Sequence, residues 1–335
     1  MMKNLKKHTF GPAGILIILL LFARPLSIQA QTCSCAGAPL LGTQSAGATG
    51  AGNLLMGVTY EFNQITNLYT GSEQITNDSA DRNTQSALFE INYGISDRLS
   101  ASGTFSYVRK QRTSGIGIPG GTQTSSTAGI GDGMALLRYT LLPQSLWNRY
   151  HVAVGGGVKA PLGSTTIDNP NGRRFNADMQ PGSGAWDGVL WSNLGVHLLP
   201  TSTMNLSLTN SFRLTGTNER FVEGDDYRFG NEFISILGIS NTISDRINYK
   251  INARYRSTSS DRRKDSSLPN TGGKWVTLIP DLYITISDQT SVKLSGQIPL
   301  YQELNGLQPT TTYALSASFF ININSSQNTF IHANN

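Results

Sequence analysis

The sequence predicts an all-β protein, a transmembrane antiparallel up-and-down β-barrel of about 12 strands with short periplasmic turns and long extracellular loops. Three observations support this fold class. Segments of 10 to 14 residues alternate apolar with polar side chains from about residue 53 onward. Short and long connections alternate between these segments. No stretch of the chain reaches the roughly 20 apolar residues that a membrane helix needs.

The first 30 residues have the organisation of a secretory signal peptide. Three lysines fall within the first seven residues, an apolar run extends from Ala13 to Ala23, and Ala30 ends a stretch suited to cleavage. The net charge of +5 falls to about +1 once the four leader cations are removed. That balance gives no indication of a nucleic-acid partner.

Residues 31–52 form a Gly/Ala/Ser-rich segment that we expect in the periplasm. It contains both cysteines of the chain, Cys33 and Cys35. Two thiolates this close suit a soft metal such as copper(I) or zinc, or a redox pair, although two ligands do not complete a metal site. The alternative is that the two thiols have no function and lie in a flexible N-terminal segment of the mature chain. A lipoprotein start at Cys33 would require a small residue where Thr32 stands.

Residues 53–323 are predicted to form the barrel, and residues 324–335 a C-terminal tail. From Arg246 to Arg256 every second side chain is apolar and the others are polar or charged, which predicts a strand with two unlike faces. The same alternation places strands at 53–63, 84–94, 98–109, 130–142, 149–160, 186–199, 203–215, 228–240, 246–257, 274–287, 290–302 and 311–323.

The connections between these strands are predicted as five tight turns and six long loops. This is the count that a 12-stranded barrel with both termini in the periplasm requires. Three of the turns share the sequence Ile-Ser-Asp, beginning at Ile95, Ile243 and Ile286, and suit hairpin corners. The long loops lie near 64–83, 110–129, 161–185, 216–227, 258–273 and 303–310. The longest of them is expected to fold inward and narrow the pore.

Charged residues in mid-strand favour a barrel with a wet lumen over a secreted soluble β-sandwich, which is the alternative fold. Aromatic side chains near both strand ends resemble interfacial belts. Near the short turns these are Tyr93, Tyr139, Trp147, Tyr150 and Tyr249. Near the long loops they are Tyr60, Phe62, Tyr107, Tyr255, Trp275 and Tyr301.

Eight polar-face residues are candidates to line the lumen. Cations outnumber acids among them, which predicts a mild anion preference. His197 could belong to an outer-membrane hydrolase, but no nucleophile stands out beside it, so a non-enzymatic role is favoured. The eight candidates are Glu90, Arg138, His197, Arg213, Lys250, Arg254, Asp281 and Lys293.

Three motifs resemble a known family of outer-membrane channels. They are Gly129-Ile130-Gly131-Asp132-Gly133, the run from Gly155 to Gly163, and the run from Ile298 to Gly306. In this order they resemble the family named for the MetA pathway of phenol degradation. The resemblance covers about residues 50–323 and implies a barrel that transports small, often hydrophobic or aromatic compounds. The chain departs from it in the Cys-Ser-Cys start and in the tail after Ile323.

The function expected from the sequence is a channel in the bacterial outer membrane for passive uptake or export of small molecules. The expected partners are outer-membrane lipid, small-molecule solutes and the barrel-assembly machinery, with no nucleic acid. The alternative is a non-conducting binding or assembly barrel, plugged by residues 31–52 or linked to metal or redox chemistry through its two cysteines.

Overall fold

The computed structural model describes residues 50–77, 80–116, 119–144, 148–198, 203–222 and 225–323. The predicted leader, Cys33, Cys35 and the tail 324–335 lie outside these ranges. Within them, no helix has the length and apolar character needed to cross a membrane.

Twelve antiparallel strands form the barrel wall, as predicted. We number them in chain order. They are β1 (Leu54–Ile65), β2 (Ala80–Gly94), β3 (Leu99–Ser114), β4 (Gly133–Leu142), β5 (Tyr150–Ala160), β6 (Asp187–His197), β7 (Asn205–Leu214), β8 (Glu232–Ser244), β9 (Ile247–Thr258), β10 (Gly273–Thr285), β11 (Thr290–Thr310) and β12 (Tyr313–Ile323).

The wall closes because β1 pairs with both β2 and β12. Leu54 lies opposite Tyr93 on one side and opposite Ile323 on the other. Each strand from β2 to β11 pairs with the wall strand before it and the wall strand after it in the sequence. Closure leaves no unpaired edge, which is what a sheet in lipid requires because no water can satisfy its backbone there. The predicted fold class is therefore confirmed.

The alternating pattern gives the wall an apolar outside and a polar inside. Residues opposite each other in the register share a face, and the two faces differ sharply in burial. Glu90 and Asn92 on the inner face are 5% and 1% exposed, whereas Ile91 between them is 47% exposed. The exposed outer face carries Val58, Tyr60, Phe89, Ile91, Tyr93, Phe105, Tyr107, Leu137, Tyr139, Val154, Val158, Leu190, Leu194, Leu237, Ile251, Leu294, Leu315 and Phe319.

The two ends of the barrel differ in their connections. We call one the turn end, because its links 95–98, 143–149, 198–204, 245–246 and 286–289 are short. The other is the loop end, where the links 66–79, 115–132, 161–186, 215–231 and 259–272 are longer. The sixth link at the loop end, 311–312, is the exception.

Several segments predicted as loops belong to strands instead. β2 and β3 continue beyond the expected ends, with Arg82 opposite Arg112. A separate strand, Gln123–Ile130, pairs with this extension of β3. Residues 303–310 are not a loop: they prolong β11 and pair with Asn67–Gly71. These segments lack the apolar alternation because they extend beyond the apolar band of the outer surface. Backbone pairing is sufficient to form a strand there.

The loop end also carries a small four-stranded sheet built from Asn218–Val222, Asp225–Arg228, Arg262–Arg263 and Ser266–Ser267. Its apolar contacts are Phe221, Tyr227 and Phe229, which pack around Ala177 of the longest loop. The Tyr227 hydroxyl donates to the Asp261 carboxylate at 2.6 Å. Three loops are thereby tied together above the barrel mouth.

Candidate functional site

The interior of the barrel holds the polar side chains that the sequence singled out. All eight candidates lie on the inner face of the wall, as the register and the alternation of burial place them. Their part in conduction stays a prediction. The prediction that Trp275 belongs to an outward-facing aromatic belt is wrong. Its side chain is 2% exposed and shares the inner face with Arg256. Lys274 takes the outward position beside it.

Arg138 crosses the inside of β3 to reach β2. Its Nη2 donates to Asn92 Oδ1 at 2.7 Å, and its guanidinium lies 5.7 Å from the ring centroid of Trp191. Gly155 makes this contact possible, because a Cβ there would lie 3.1 Å from the Arg138 side chain. Glu90 is close enough for its charge to attract Arg138. This pair is therefore neutral as a unit.

A polar strut runs along the inner wall from β9 to β1, over the intervening strands β10 and β12. Arg254 Nη2 donates to Gln297 Oε1 at 2.8 Å, and Gln297 Nε2 donates to Glu61 Oε2, also at 2.8 Å. Strand β12 lies between β11 and β1, and its inner face offers only Ala314 and Ser316 at this level. These small residues leave room for Gln297 to span the gap.

A chain of alternating charges runs around the inner wall near the loop end. Lys159 lies 2.6 Å from Asp132 and 3.2 Å from Asp187, measured between Nζ and carboxylate oxygen. All three side chains are almost fully buried. The buried position is tolerable because each charge has at least one opposite neighbour.

The same chain continues over the next strands. Arg213 lies 3.9 Å from Asp187 and 3.3 Å from Glu232, and Glu232 accepts from Arg256 Nε at 2.6 Å. The Arg256 guanidinium then lies 4.8 Å from the centroid of Trp275. We call these six charges, from Asp132 to Arg256, the charge girdle. Arg213, which the sequence suggested as a pore-lining residue, is thus held in two ion pairs.

Most residues of the charge girdle were not among the candidates predicted from the sequence. Lys159 stood in a family motif, and Arg256 in an alternating segment, but neither was a candidate, and Asp187 and Glu232 were not considered. The available signal was that consecutive strands begin or end at the loop end with charges of opposite sign. That signal can be interpreted only when the register between the strands is known.

The longest loop, 161–186, folds against the inner face of β3, β5 and the strand Gln123–Ile130. Lys110 Nζ donates to the carbonyl oxygens of Asp178 and Gln180, each at 2.8 Å. The Asp178 carboxylate is held by Arg82 and by Arg112, the latter at 2.9 Å. Gln180 is fully buried. The segment from Ala177 to Ala185 thus narrows the barrel at its loop end.

The charges around Asp178 hold its carboxylate ionised. Burial by itself would raise the pKa of the Asp178 carboxyl group, but the charges of Arg82 and Arg112 outweigh it and lower the pKa to about 2. The loop is anchored a second time at the girdle, because Asp132 accepts from the Ser183 backbone N–H at 3.0 Å. An ionic cluster at Asp178 and a hydrogen bond to the Asp132 carboxylate therefore fix one loop.

The stem of the loop is narrow where its two sides meet. A Cβ on Gly163 would lie 2.5 Å from Gly182 Cα, so the two backbones pass in contact. Gly129, in the first of the three family-like motifs, lies under Pro181 of the loop. This glycine run serves close packing, as does Gly157, where a Cβ would lie 2.1 Å from the Ala135 oxygen.

Below the strut, the turn half of the lumen contains a cavity of about 570 Å³. Residues of two turns, Gln144 and Thr203, line it, so the cavity extends to the turn end. Its wall mixes polar with apolar groups, including Lys250, Lys293 and Phe320. We call this space the turn-half cavity.

His197 lies at the turn end of β6, opposite Asn205. Its Nδ1 is buried and has no hydrogen-bond partner within the described part of the chain. The same residues include no cluster of three or more His, Cys, Asp or Glu side chains that could hold a metal ion.

Comparison with known proteins supports the fold. The sequence matches no family model and no curated protein. An outer membrane channel from Pseudomonas putida F1 is similar in structure, with a TM-score of 0.68 and 13% identity over 84% of this chain and 98% of that chain. At 13% identity, this likeness shows the fold alone.

Two further solved structures are more distant. The NanC porin has a TM-score of 0.44 and 10% identity, covering 80% of this chain and 98% of its own. The translocator domain of the autotransporter NalP from Neisseria meningitidis also has a TM-score of 0.44, with 10% identity over 84% of this chain and 90% of its own.

Proposed function

We propose that this protein is a channel of the bacterial outer membrane that passes small molecules down their gradient. The observation that carries the proposal is a closed barrel with an apolar exterior around a polar, charged lumen, which includes the turn-half cavity of about 570 Å³. Such a wall is suited to lipid outside and to solute and water inside. The similarity in fold to an outer membrane channel agrees with it.

We propose the outer membrane as the location, because the chain has a predicted export leader and a closed barrel with two unequal ends. The leader 1–30 would direct export, and the barrel-assembly machinery would insert residues 53–323 into the outer membrane. The turn end would then face the periplasm and the loop end the exterior. The resemblance to the MetA-pathway family supports aromatic or other hydrophobic compounds as solutes. No enzymatic role is proposed, and purified protein should show no lipid or ester turnover that is lost in His197→Ala.

Liposome swelling with a panel of neutral and charged solutes tests the proposal. Purified full-length protein should accelerate swelling for small solutes and exclude large ones. Reversal potentials in planar bilayers under a salt gradient should show a mild anion preference, since lumenal cations exceed acids. Intact, folded protein that neither conducts ions nor admits solutes would refute the channel.

That refuting result would favour the second candidate, a non-conducting binding or assembly barrel. The observation behind it is the inward position of loop 161–186, which narrows the loop end through Lys110 and Asp178. The predicted plug, residues 31–52, lies almost wholly outside the described ranges.

Cys33 and Cys35 would give either candidate a link to a soft metal or to redox chemistry. Copper and zinc bound by mature protein should be compared with the amounts bound by a Cys33→Ser/Cys35→Ser double variant. Equal metal content in the two would remove the metal proposal.

A further inference from the structure

The turn-half cavity contains two lysines whose ammonium groups are not neutralised. Lys293 is only 4% exposed, so its charge is carried inside the barrel and not on a free surface. Lys250 is half-buried on β9 and lines the same cavity. Among the described residues, neither ammonium has a hydrogen bond or an ion pair within 4 Å. A buried cation in this condition favours an anionic partner.

The nearby acids are engaged elsewhere. Asp281 lies opposite Lys250 in the register, but its carboxylate accepts from Asn252 Nδ2 at 2.7 Å and from the Ser295 hydroxyl. Glu61, which lies within the electrostatic reach of Lys293, accepts from Gln297 at 2.8 Å. These acids lower the local positive potential without forming ion pairs with the lysines.

The charge count in this half of the lumen defines the ligand. Lys250, Lys293 and Glu90 line the cavity and together bring two positive charges and one negative charge. The charges around them cancel, because Arg138 and Arg254 are matched by Glu61 and Asp281. One positive charge is left over. A ligand with a single negative charge would balance it, whereas the second charge of a dianion would be repelled by Glu90 and by the acids around the cavity.

The two lysines are placed to hold one small anion between them. Lys293 lies opposite Tyr283 on β10, and Lys250 lies opposite Asp281 on the other side of the same strand. Strands β9 and β11 are two strand spacings apart, about 10 Å, and the two lysines are also offset by two residues along the strand direction. Each lysine stem is long and flexible enough to bring its ammonium to a shared carboxylate.

The Lys250 stem lies over Gly238 of β8, on the side of β9 that faces away from Lys293, so its ammonium reaches a shared carboxylate after the stem rotates toward β10. A Cβ on Gly238 would lie 2.5 Å from Lys250 Cε, so the stem runs along the wall over a position that has no side chain. This leaves the centre of the cavity open, although the lysine extends into it.

The apolar part of the cavity lies beside the lysines. Phe320 on the inner face of β12 is opposite Ser291, two residues from Lys293 along β11. Its ring covers Gly57, where a Cβ would lie 2.7 Å from it, and Leu55 lines the same cavity. Apolar side chains on the wet face of a barrel are unusual, because that face is polar as a rule.

We propose that the turn-half cavity binds a small monocarboxylate with an apolar body, its carboxylate between Lys250 and Lys293 and its body against Phe320 and Leu55. This inference rests on the proposed function, because it names the class of solute that the channel recognises. The cavity of about 570 Å³ lies within the range of about 300–1,000 Å³ that is usual for small-molecule sites.

The experiment measures the binding of benzoate to purified full-length protein in detergent by calorimetry. Lys250→Met and Lys293→Met should each raise the Kd for benzoate about tenfold or more, since each removes one charge-assisted contact. Lys274→Met is the matched control. Lys274 is exposed at the loop end and pairs with Glu303, so its loss should leave binding unchanged.

Two related solutes test the chemical class. Benzamide, which has the same ring without the charge, should bind at least tenfold more weakly than benzoate. Phthalate, a dianion, should also bind more weakly. Phe320→Ala should weaken benzoate but leave acetate, which has almost no apolar body, unaffected. Heat-modifiable migration of each variant on gels would establish that it is folded.

The outcomes separate this inference from the channel proposal. Benzoate binding that both lysine variants leave unchanged, or tighter binding of phthalate, would overturn the inference even if chloride conductance in bilayers is normal. Binding that depends on the lysines in a protein that does not conduct would retain the inference about the site and refute the channel.

Discussion

At the scale of single residues, the ion pairs of the charge girdle allow charged side chains to be buried on the inner wall. Lys159 is 1% exposed and lies between Asp132 and Asp187, which are as deeply buried. A buried ion pair adds little net stability when it is intact, because desolvation offsets the attraction. Removing one partner is different, since it leaves an unpaired charge where water cannot reach it.

Lys159→Met tests this directly. The variant keeps the length of the side chain but leaves Asp132 without a cation and Asp187 with only the more distant Arg213. We expect a loss of about 3–5 kcal/mol in the free energy of unfolding. Denaturant unfolding in detergent or lipid vesicles, followed by tryptophan fluorescence, measures it.

Lys274→Met is the control for that comparison. Its ion pair with Glu303 is about half exposed on both sides, so the change should lower the free energy of unfolding far less than Lys159→Met does. Equal losses in the two variants would contradict the importance of the girdle.

At the scale of elements, loop 161–186 sets the width of the loop end. Deleting residues 168–180 removes Asp178 and with it the contacts to Arg82, Lys110 and Arg112. We expect a larger single-channel conductance because the narrowing segment can no longer be held inward. Planar bilayers measure this, and an unchanged conductance would show that the loop is not the constriction.

The same loop predicts a dependence on pH. The Asp178 carboxyl group has a pKa of about 2 when the loop is in place and about 3.9 when it is free. The contribution of this contact is therefore complete above about pH 4 and is lost as the pH falls through about 2. Conductance should be constant from pH 7 to 4 and rise below about pH 3.

Asp178→Asn supplies the reference for the pH experiment. An amide at this position does not titrate, so the variant should show the larger conductance already at pH 7 and no further step near pH 2. A step of the same size in the variant would assign the pH dependence to other groups.

At the scale of the whole molecule, the unequal ends predict an orientation in the membrane. The background for this test is the Cys33→Ser/Cys35→Ser variant, which has no other thiol. Asn171→Cys lies in an exposed part of the longest loop, and Ser96→Cys in an exposed turn. An impermeant maleimide on intact cells should label the first and reach the second only after permeabilisation. The reverse labelling pattern would show that the turn end, and not the loop end, faces the exterior.

The strand content of the barrel was predictable because it depends on local chemistry. Alternation of apolar and polar residues, as from Ile247 to Arg256, reports directly that one side faces lipid and the other does not. All twelve strands were found by this rule. It failed where the chain passes beyond the apolar band, at Gln123–Ile130 and at 303–310, because backbone pairing there needs no apolar face.

The sequence by itself determined the two-faced strands, their number and the side on which each polar candidate lies, since these follow from a period of two and from turn residues. Only the tertiary structure decided which charges meet. Arg213 is neutralised by Glu232, whereas Lys293 is left without an ion-pair partner among the described residues. The physical reason is that an ion pair depends on the register between strands and on where a loop folds back, and both are set by closure of the whole barrel.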